Sequence, residues 1–237
     1  MKRLQKAIAD SGYCSRRKAE EKIALGKVKV NGEVITQMGY QVTDEDVIVV
    51  EGKKLDLVEK KVYYLLNKPR EVISSVTDDK ERKTVVDLIK CDLRIYPIGR
   101  LDYDTTGLIL LTNDGELANR LMHPKNEIEK TYLAKVEGLI TKEDILKLKR
   151  KLVIEDRPVV IKNLKVRKKD FTKETTLIEI TIVEGRNHIV KKIFSAIGHE
   201  VIKLTRTSYA FLTLDNLKSG EYRMLSLKEV KKLYSLK

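Results

Sequence analysis

Gly99-Arg100-Leu101-Asp102-Tyr103-Asp104-Thr105-Thr106-Gly107-Leu108-Ile109-Leu110-Leu111-Thr112-Asn113-Asp114-Gly115 is a polar loop running straight into an apolar run. Leu108 to Thr112 has the length and composition of a buried strand, and Asn113-Asp114-Gly115 after it is a turn signal. Residues 102–106 therefore form a loop at a strand entrance. Loops held by a rigid scaffold are a common seat for functional side chains. On the residues alone, Asp102 or Asp104 is more simply a carboxylate capping a turn through its side chain.

Outward from this stretch, Val62 to Leu66 is a second buried-type strand, ended by Asn67-Lys68-Pro69. Leu117 and Leu121 mark a short helix that His123-Pro124 stops, and residues 131–136 alternate as a strand. Thr141 with Asp144 spells a capping box for a helix to about Lys151. Ile178, Ile180 and Ile182 alternate with polar residues, as a half-buried strand does. Val190, Ile193, Phe194 and Ile197 mark one helix face that Gly198 terminates, and residues 201–205 form a strand. Ser226 with Glu229 caps a last helix. Helices and strands mix without regular βαβ alternation, so the fold class is α+β with a mainly antiparallel mixed sheet flanked by helices.

The front of the chain is different. Leu4, Ala7 and Ile8 have helical spacing that stops at Ser11-Gly12, and Ser15 caps a helix from Arg16 to Leu25 that Gly26 ends. Residues 27–30 alternate as a strand, Asn31-Gly32 is a hairpin signal, and Val47 to Val50 is another strand. The expected organisation is a small module over 1–51, a charged linker over 52–61 and a larger domain over 62–237.

The 237 residues carry 48 Lys and Arg against 35 Asp and Glu, a net charge of +13. Such a surface favours a polyanionic partner. Residues 2–29 alone hold nine cations against Asp10, Glu20 and Glu21. The start, Met1-Lys2-Arg3-Leu4-Gln5-Lys6, has no apolar run like a signal peptide, and no stretch approaches the ~18 apolar residues of a membrane span. Cys14 and Cys91 are the only cysteines, which fits a reducing cytoplasm. With His only at 123, 188 and 199, no zinc-type ligand spacing occurs, and there is no Walker or G-x-G-x-x-G sequence. A nucleic-acid partner, no metal and no cofactor are expected.

Two resemblances sharpen this. Leu4, Gly12, Ser15-Arg16-Arg17, Ala19, Gly26, Val28, Val30-Asn31-Gly32, Gly39 and Asp46 resemble the S4-like (alpha-L) RNA-binding domain. Gly99-Arg100-Leu101-Asp102, Thr105 and Gly107-Leu108 are similar to the G-R-L-D-x-x-T-x-G-L motif of the rRNA pseudouridine synthases that carry an N-terminal S4-like domain. Asn67-Lys68-Pro69, Thr84-Val85-x-Asp87-Leu88, Tyr96-Pro97-x-Gly99, Lys130-Thr-Tyr132, Glu184-Gly-Arg-Asn-His188, Gly198-His199-x-Val201 and Gly220-Glu-Tyr-Arg223 continue the likeness in order. Lys192 to His199 and Lys203-Leu-Thr-Arg206 look closer to members acting on large-subunit rRNA. Small-subunit rRNA, and a non-catalytic ribosome-assembly protein of the same fold, are the alternatives.

The resemblance implies a pseudouridine synthase fold and a cofactor-free isomerisation of uridine in an rRNA stem-loop, bare or in an assembling particle, by a cytoplasmic monomer. It makes Asp102 the catalytic aspartate, Lys191 its cationic partner and Tyr132 the ring that stacks on uracil. Without it, Lys191 is a solvent-facing lysine and Tyr132 a core aromatic. Arg100 resembles the residue that props open the vacated RNA position, and Arg186 is expected to touch RNA. Arg16, Arg17, Lys18 and Lys22 are expected on phosphates, which give affinity and register rather than sequence reading. Ile189 stands where the family often has Gln, Asp104 is assigned a structural role, and His188 and His199 are assigned structural or RNA-contacting roles.

Overall fold

The computed structural model describes residues 1–56, 60–150 and 152–236. Two compact units emerge, one of residues 1–62 with 91–95 and 113–115, the other of the remaining chain. Residues 57–59 of the expected linker lie outside the described residues, as does Lys151 at the expected end of one helix.

In the first unit, helix α1 (Leu4–Asp10) buries Leu4, Ala7 and Ile8 completely. Helix α2 (Arg16–Ala24) starts where the Ser15 side chain accepts the Lys18 N–H at 3.2 Å. The two helices pack on a four-stranded sheet with the order Glu33–Val34, Val28–Val30, Ile48–Val50, Lys53–Lys54. Asn31 and Gly32 both have positive φ, 51° and 92°, as the tightest hairpin turn requires.

The second unit is built on a nine-stranded sheet. Numbered within that sheet, the strands are β1 (Tyr63–Lys68), β2 (Tyr96–Ile98), β3 (Thr106–Thr112), β4 (Lys130–Glu137), β5 (Ile161–Asp170), β6 (Thr175–Ile182), β7 (Val201–Tyr209), β8 (Leu212–Thr213) and β9 (Tyr222–Met224). Their order is β5-β6-β4-β7-β3-β1-β9, with β2 on β3 and β8 on β7. Among these pairings only β3 with β7 is parallel. Helices α3 (Gly115–Met122) and α6 (Leu227–Tyr234) cover one side through Leu117, Ala118, Leu121 and Leu233. Helix α4 (Lys142–Lys149) and α6 both open on complete capping boxes, Thr141/Asp144 and Ser226/Glu229. Helix α5 (Ile189–Ser195) buries Val190, Ile193 and Phe194.

Strand β3 is buried at every residue from Gly107 to Thr112, which explains its continuous apolar run. Its seam with β7 depends on Gly107. At φ 105°, a Cβ there would lie 2.2 Å from the Arg206 carbonyl oxygen, so only glycine lets the two backbones meet. Strand β1 runs on through Asn67 and Lys68, where a stop is expected, because these residues pair with Leu108 and Gly107. Gly115 opens α3 rather than closing a turn. The edge strand β5 has no counterpart in the sequence reading.

Candidate active site

Asp102 sits in the loop between β2 and β3, and that loop is pinned from beneath. The Ser74 hydroxyl donates to the Leu101 carbonyl at 2.8 Å and accepts the Leu101 N–H at 3.1 Å. The Thr105 N–H donates to the Asp102 carbonyl at 3.1 Å, which closes the turn. Lys68, fully buried, donates to the carbonyls of Thr105 at 2.8 Å and Pro69 at 3.0 Å. Burial pushes the Lys68 ammonium down to about 8, opposed by the charges of Asp104 and Asp102.

Two cationic or potentially cationic groups come to the Asp102 carboxylate from the start of α5. The Lys191 Nζ lies 3.6 Å from Oδ2, and the His188 Nε2 lies 3.3 Å from Oδ1. The same Lys191 ammonium donates at 2.8 and 2.9 Å to the two oxygens of Asp104. Burial raises the Asp104 carboxyl, but the hydrogen bond and charge of Lys191 outweigh it and hold the group below its ordinary value. Lys191 thus bridges two aspartates and is tighter on Asp104, which the sequence reading leaves as merely structural. His188 reaches Asp102 because its own backbone is left-handed, φ 54°, as it enters α5.

The loop forms one wall of a cavity of about 740 Å³. Tyr132 of β4, buried to 7% exposure, lies on its floor, with Leu204 and Arg206 of β7, Lys130 and Ile189 around it. Alternation along β4 buries Tyr132, Ala134 and Val136 on this side of the sheet. Arg206 is 2% exposed; its Nε donates to the Leu108 carbonyl at 2.7 Å and its guanidinium lies 5.2 Å from the centre of the Tyr209 ring. Burial, reinforced by Arg206, brings the Lys130 ammonium down to about 8. Burial also pushes the Tyr209 phenol up to about 12, and its hydroxyl donates to the Leu121 carbonyl at 2.8 Å. One wall can therefore hold charge while the floor offers an aromatic face and apolar contact, the arrangement a planar base needs.

Arg100 is exposed on the cavity rim. Arg186 also lines the cavity, but its guanidinium is bound to Glu184 and to the Ile154 carbonyl, tying the loop before α5 to the hairpin of Val153–Ile154 and Arg157–Pro158. In the first unit, Arg16, Arg17 and Lys18 are exposed. Lys22 instead pairs with Glu51 at 2.6 Å, and that bond leads the interactions that bring the Glu51 carboxyl down to about 2. Sequence reasoning gives no role to three cations of this site, the buried Lys68 and Arg206 and the half-buried Lys130. All three stand in quoted stretches, Asn67-Lys68-Pro69, Lys130-Thr-Tyr132 and Lys203-Leu-Thr-Arg206, and the signal that could have marked Arg206 is a charge at an inward-facing position of a strand. Among the described residues, no three His, Cys, Asp or Glu side chains cluster as metal ligands would, and no helix is long and apolar enough to cross a membrane.

This cavity and this sheet, following a small basic module in the chain, define the class. The RNA pseudouridylate synthase family matches residues 62–196 and the S4 domain matches residues 2–48, and the chain belongs to that family of RNA-modifying enzymes. It is 56% identical over 237 residues, all of this chain and 97% of the other, to the ribosomal large subunit pseudouridine synthase B of Bacillus subtilis (strain 168). It is 40% identical to an uncharacterized RNA pseudouridine synthase of Aquifex aeolicus (strain VF5), covering 98% of this chain and 93% of that one. A crystal structure of a pseudouridylate synthase superimposes with a TM-score of 0.68 at 34% identity, over 98% of this chain and 100% of that one.

Proposed function

We propose that this enzyme isomerises one uridine of large-subunit ribosomal RNA to pseudouridine, with Asp102 as its catalytic carboxylate. The observation that carries the reading is Asp102 on the cavity wall, beside Lys191 and His188, with Tyr132 on the floor. The large-subunit substrate is supported by the printed name of the 56% identical relative, and by the nearly complete overlap of the two chains.

The target nucleotide leaves its stem-loop and enters the cavity. Stacking on Tyr132, worth roughly 1–3 kcal/mol per base, offsets much of the cost of unstacking. The N1–C1′ bond breaks, the uracil turns, C5 bonds to C1′, the C5 proton is lost to solvent and N1 gains one. Atoms balance without any co-reactant. Addition of a carboxylate to carbon and removal of the 2′ proton both need it ionised. The Lys191 ammonium, 3.6 Å from Oδ2, gives the ionised carboxylate a counter-charge inside the cavity, and the His188 imidazole lies 3.3 Å from its other oxygen. Tyr132 is also placed to move the C5 proton. Arg100 fills the position the nucleotide vacates, and Arg186 holds the rim near RNA.

Arg16, Arg17 and Lys18, with Lys22 in a supporting ion pair, give the front module its grip on phosphates. The working division is an RNA-binding domain from residue 1 through the paired strand Lys53–Lys54, which the expected linker over 52–61 leaves out, and a catalytic domain over 62–237, acting as a monomer in the cytoplasm on rRNA or an assembling particle. The test uses large-subunit rRNA tritiated at uracil C5. The wild type is expected to release tritium, while Asp102→Asn binds the RNA and releases none. Release by that variant would overturn the catalytic assignment, and release only from small-subunit rRNA would overturn the substrate.

A further inference from the structure

The sheet has a second charged surface, on the side away from the cavity. Along β4, Tyr132 and Ala134 face the cavity side, so Leu133 and Lys135 face the opposite one. Lys135 lies directly opposite Lys203 of β7 and Leu177 of β6, and Leu177 lies opposite Lys168 of β5. Three lysines thus occupy one row across four strands, about 14 Å long at the usual strand spacing. The next row is Thr205, Leu133, Glu179 and Lys165, with Arg167 on Glu179 at 2.6 Å. Lys165, Lys168 and Lys203 are exposed, and Lys135 is half-buried.

Five cations therefore face one carboxylate at the centre of this surface, with Glu137 and Asp170 only at one end. Lys135, Lys165, Lys168 and Lys203 have no ion pair among the described residues. Lysines on β5 protect an exposed sheet edge from pairing with other chains. That explanation does not extend to β4 and β7, which are interior strands. There, Lys135 opposite Lys203 is a like-charge cross-strand pair, which weakens a sheet. The fold carries that repulsion without an internal counter-charge, and a polyanion would supply one.

We infer that this open sheet face is a second RNA-binding surface, contacting backbone phosphates of the substrate RNA at a distance from the target nucleotide. The inference rests on the isomerase reading above for its partner, and on the row Lys203, Lys135, Lys168 for its place. Phosphate contacts of this kind add affinity and orientation, not base reading.

Full-length K135Q/K168Q/K203Q and an equal-charge control, K142Q/K149Q/K228Q, test it against transcribed large-subunit rRNA between about 50 and 200 mM salt. At roughly 0.7–0.9 per phosphate contact, the face variant is expected to lower the slope of log affinity against log salt by about 2, and the control by less than about 1. Equal slopes in the two variants would overturn the surface. Tritium release by the wild type on the same RNA is measured in parallel. Its absence sinks the isomerase reading, whereas release with matching slopes sinks only the second surface. Relief of the Lys135–Lys203 repulsion is expected to leave the face variant's Tm unchanged or higher. Should the triple variant not fold, Lys135→Gln and Lys203→Gln are titrated singly, each expected to lower the slope by about 0.7–0.9, and no change in either overturns the proposal.

Discussion

Lys191 is closer to Asp104 than to Asp102: its ammonium lies 2.8 Å from one carboxylate and 3.6 Å from the other. Asp104 therefore fixes where the cation stands, and Asp102 takes the benefit. The Asp104 carboxylate is 46% exposed, and pairs that open to water are worth about 1 kcal/mol or less. Asp104→Asn is accordingly expected to slow tritium release by less than about tenfold, one decade being about 1.4 kcal/mol. Lys191→Met leaves both aspartates without this cation and is expected to cost more than Asp104→Asn. Single-turnover rates on one RNA give the ranking, and the reverse order would refute it.

His188 offers Asp102 a second, more exposed contact. With Lys191 still present, His188→Ala is expected to reduce the rate by no more than about fivefold, as an exposed pair worth up to about 1 kcal/mol would. Asp102→Asn, by contrast, is expected to abolish release altogether. A His188 variant as dead as the Asp102 variant would give the imidazole a larger part than bracing the carboxylate.

Tyr132 combines a ring and a hydroxyl, and two substitutions separate them. Tyr132→Ala is expected to lower kcat/KM by the loss of a base stack, about 1–3 kcal/mol. Tyr132→Phe keeps the stack, so it is expected to preserve RNA affinity while slowing loss of tritium from C5. Unchanged tritium release in Tyr132→Phe would remove the hydroxyl from the proton transfer.

Gly107→Ala brings a methyl group to 2.2 Å from a backbone oxygen at positive φ. A residue without room and in the wrong backbone region costs more than about 2 kcal/mol. At about 2–4 °C per kcal/mol for a unit of this size, a Tm drop of about 5 °C or more is expected by calorimetry. A Tm within a degree of wild type would contradict the tight seam.

Lys68 supplies a pH test. Its folded pKa is about 8 against an ordinary 10.5, so the unfolded chain binds more protons between those values. Its contribution to stability therefore rises with pH from about 8 to about 10.5, and falls away as pH drops through the folded value. Lys68→Met lacks this contribution, and the wild-type minus variant Tm difference is expected to grow across that window. A flat difference would place the ammonium in water.

How legible the molecule is from its sequence depends on where its signals lie. The loop at 99–107 is legible as a loop entering an apolar strand, but composition and spacing alone make Asp102 a turn cap, and only the likeness of 99–108 to a known motif marks it as catalytic. The capping boxes at Thr141 and Ser226 are equally plain, since each needs only four residues in order. Strand β5 is not legible: its inward Leu164 and Val166 are outnumbered by charged residues, so no clear alternation stands out. The choice of Lys191 between two carboxylates is not legible either. It is decided by the approach of α5 to a loop 87 positions away, and periodicity carries no such distance.

The parallel register of β3 and β7 covers just Thr106 with Thr205 and Gly107 with Arg206. The strands on either side of it carry different tools: the acid rides on the loop entering β3, while the aromatic floor belongs to β4 and its neighbours. The cavity is thus bipartite, with its acidic half and its aromatic half stitched by two rungs of a ladder. A substitution that loosens those two rungs is therefore expected to shift the acidic loop against the aromatic floor while leaving the interior of each half as it was.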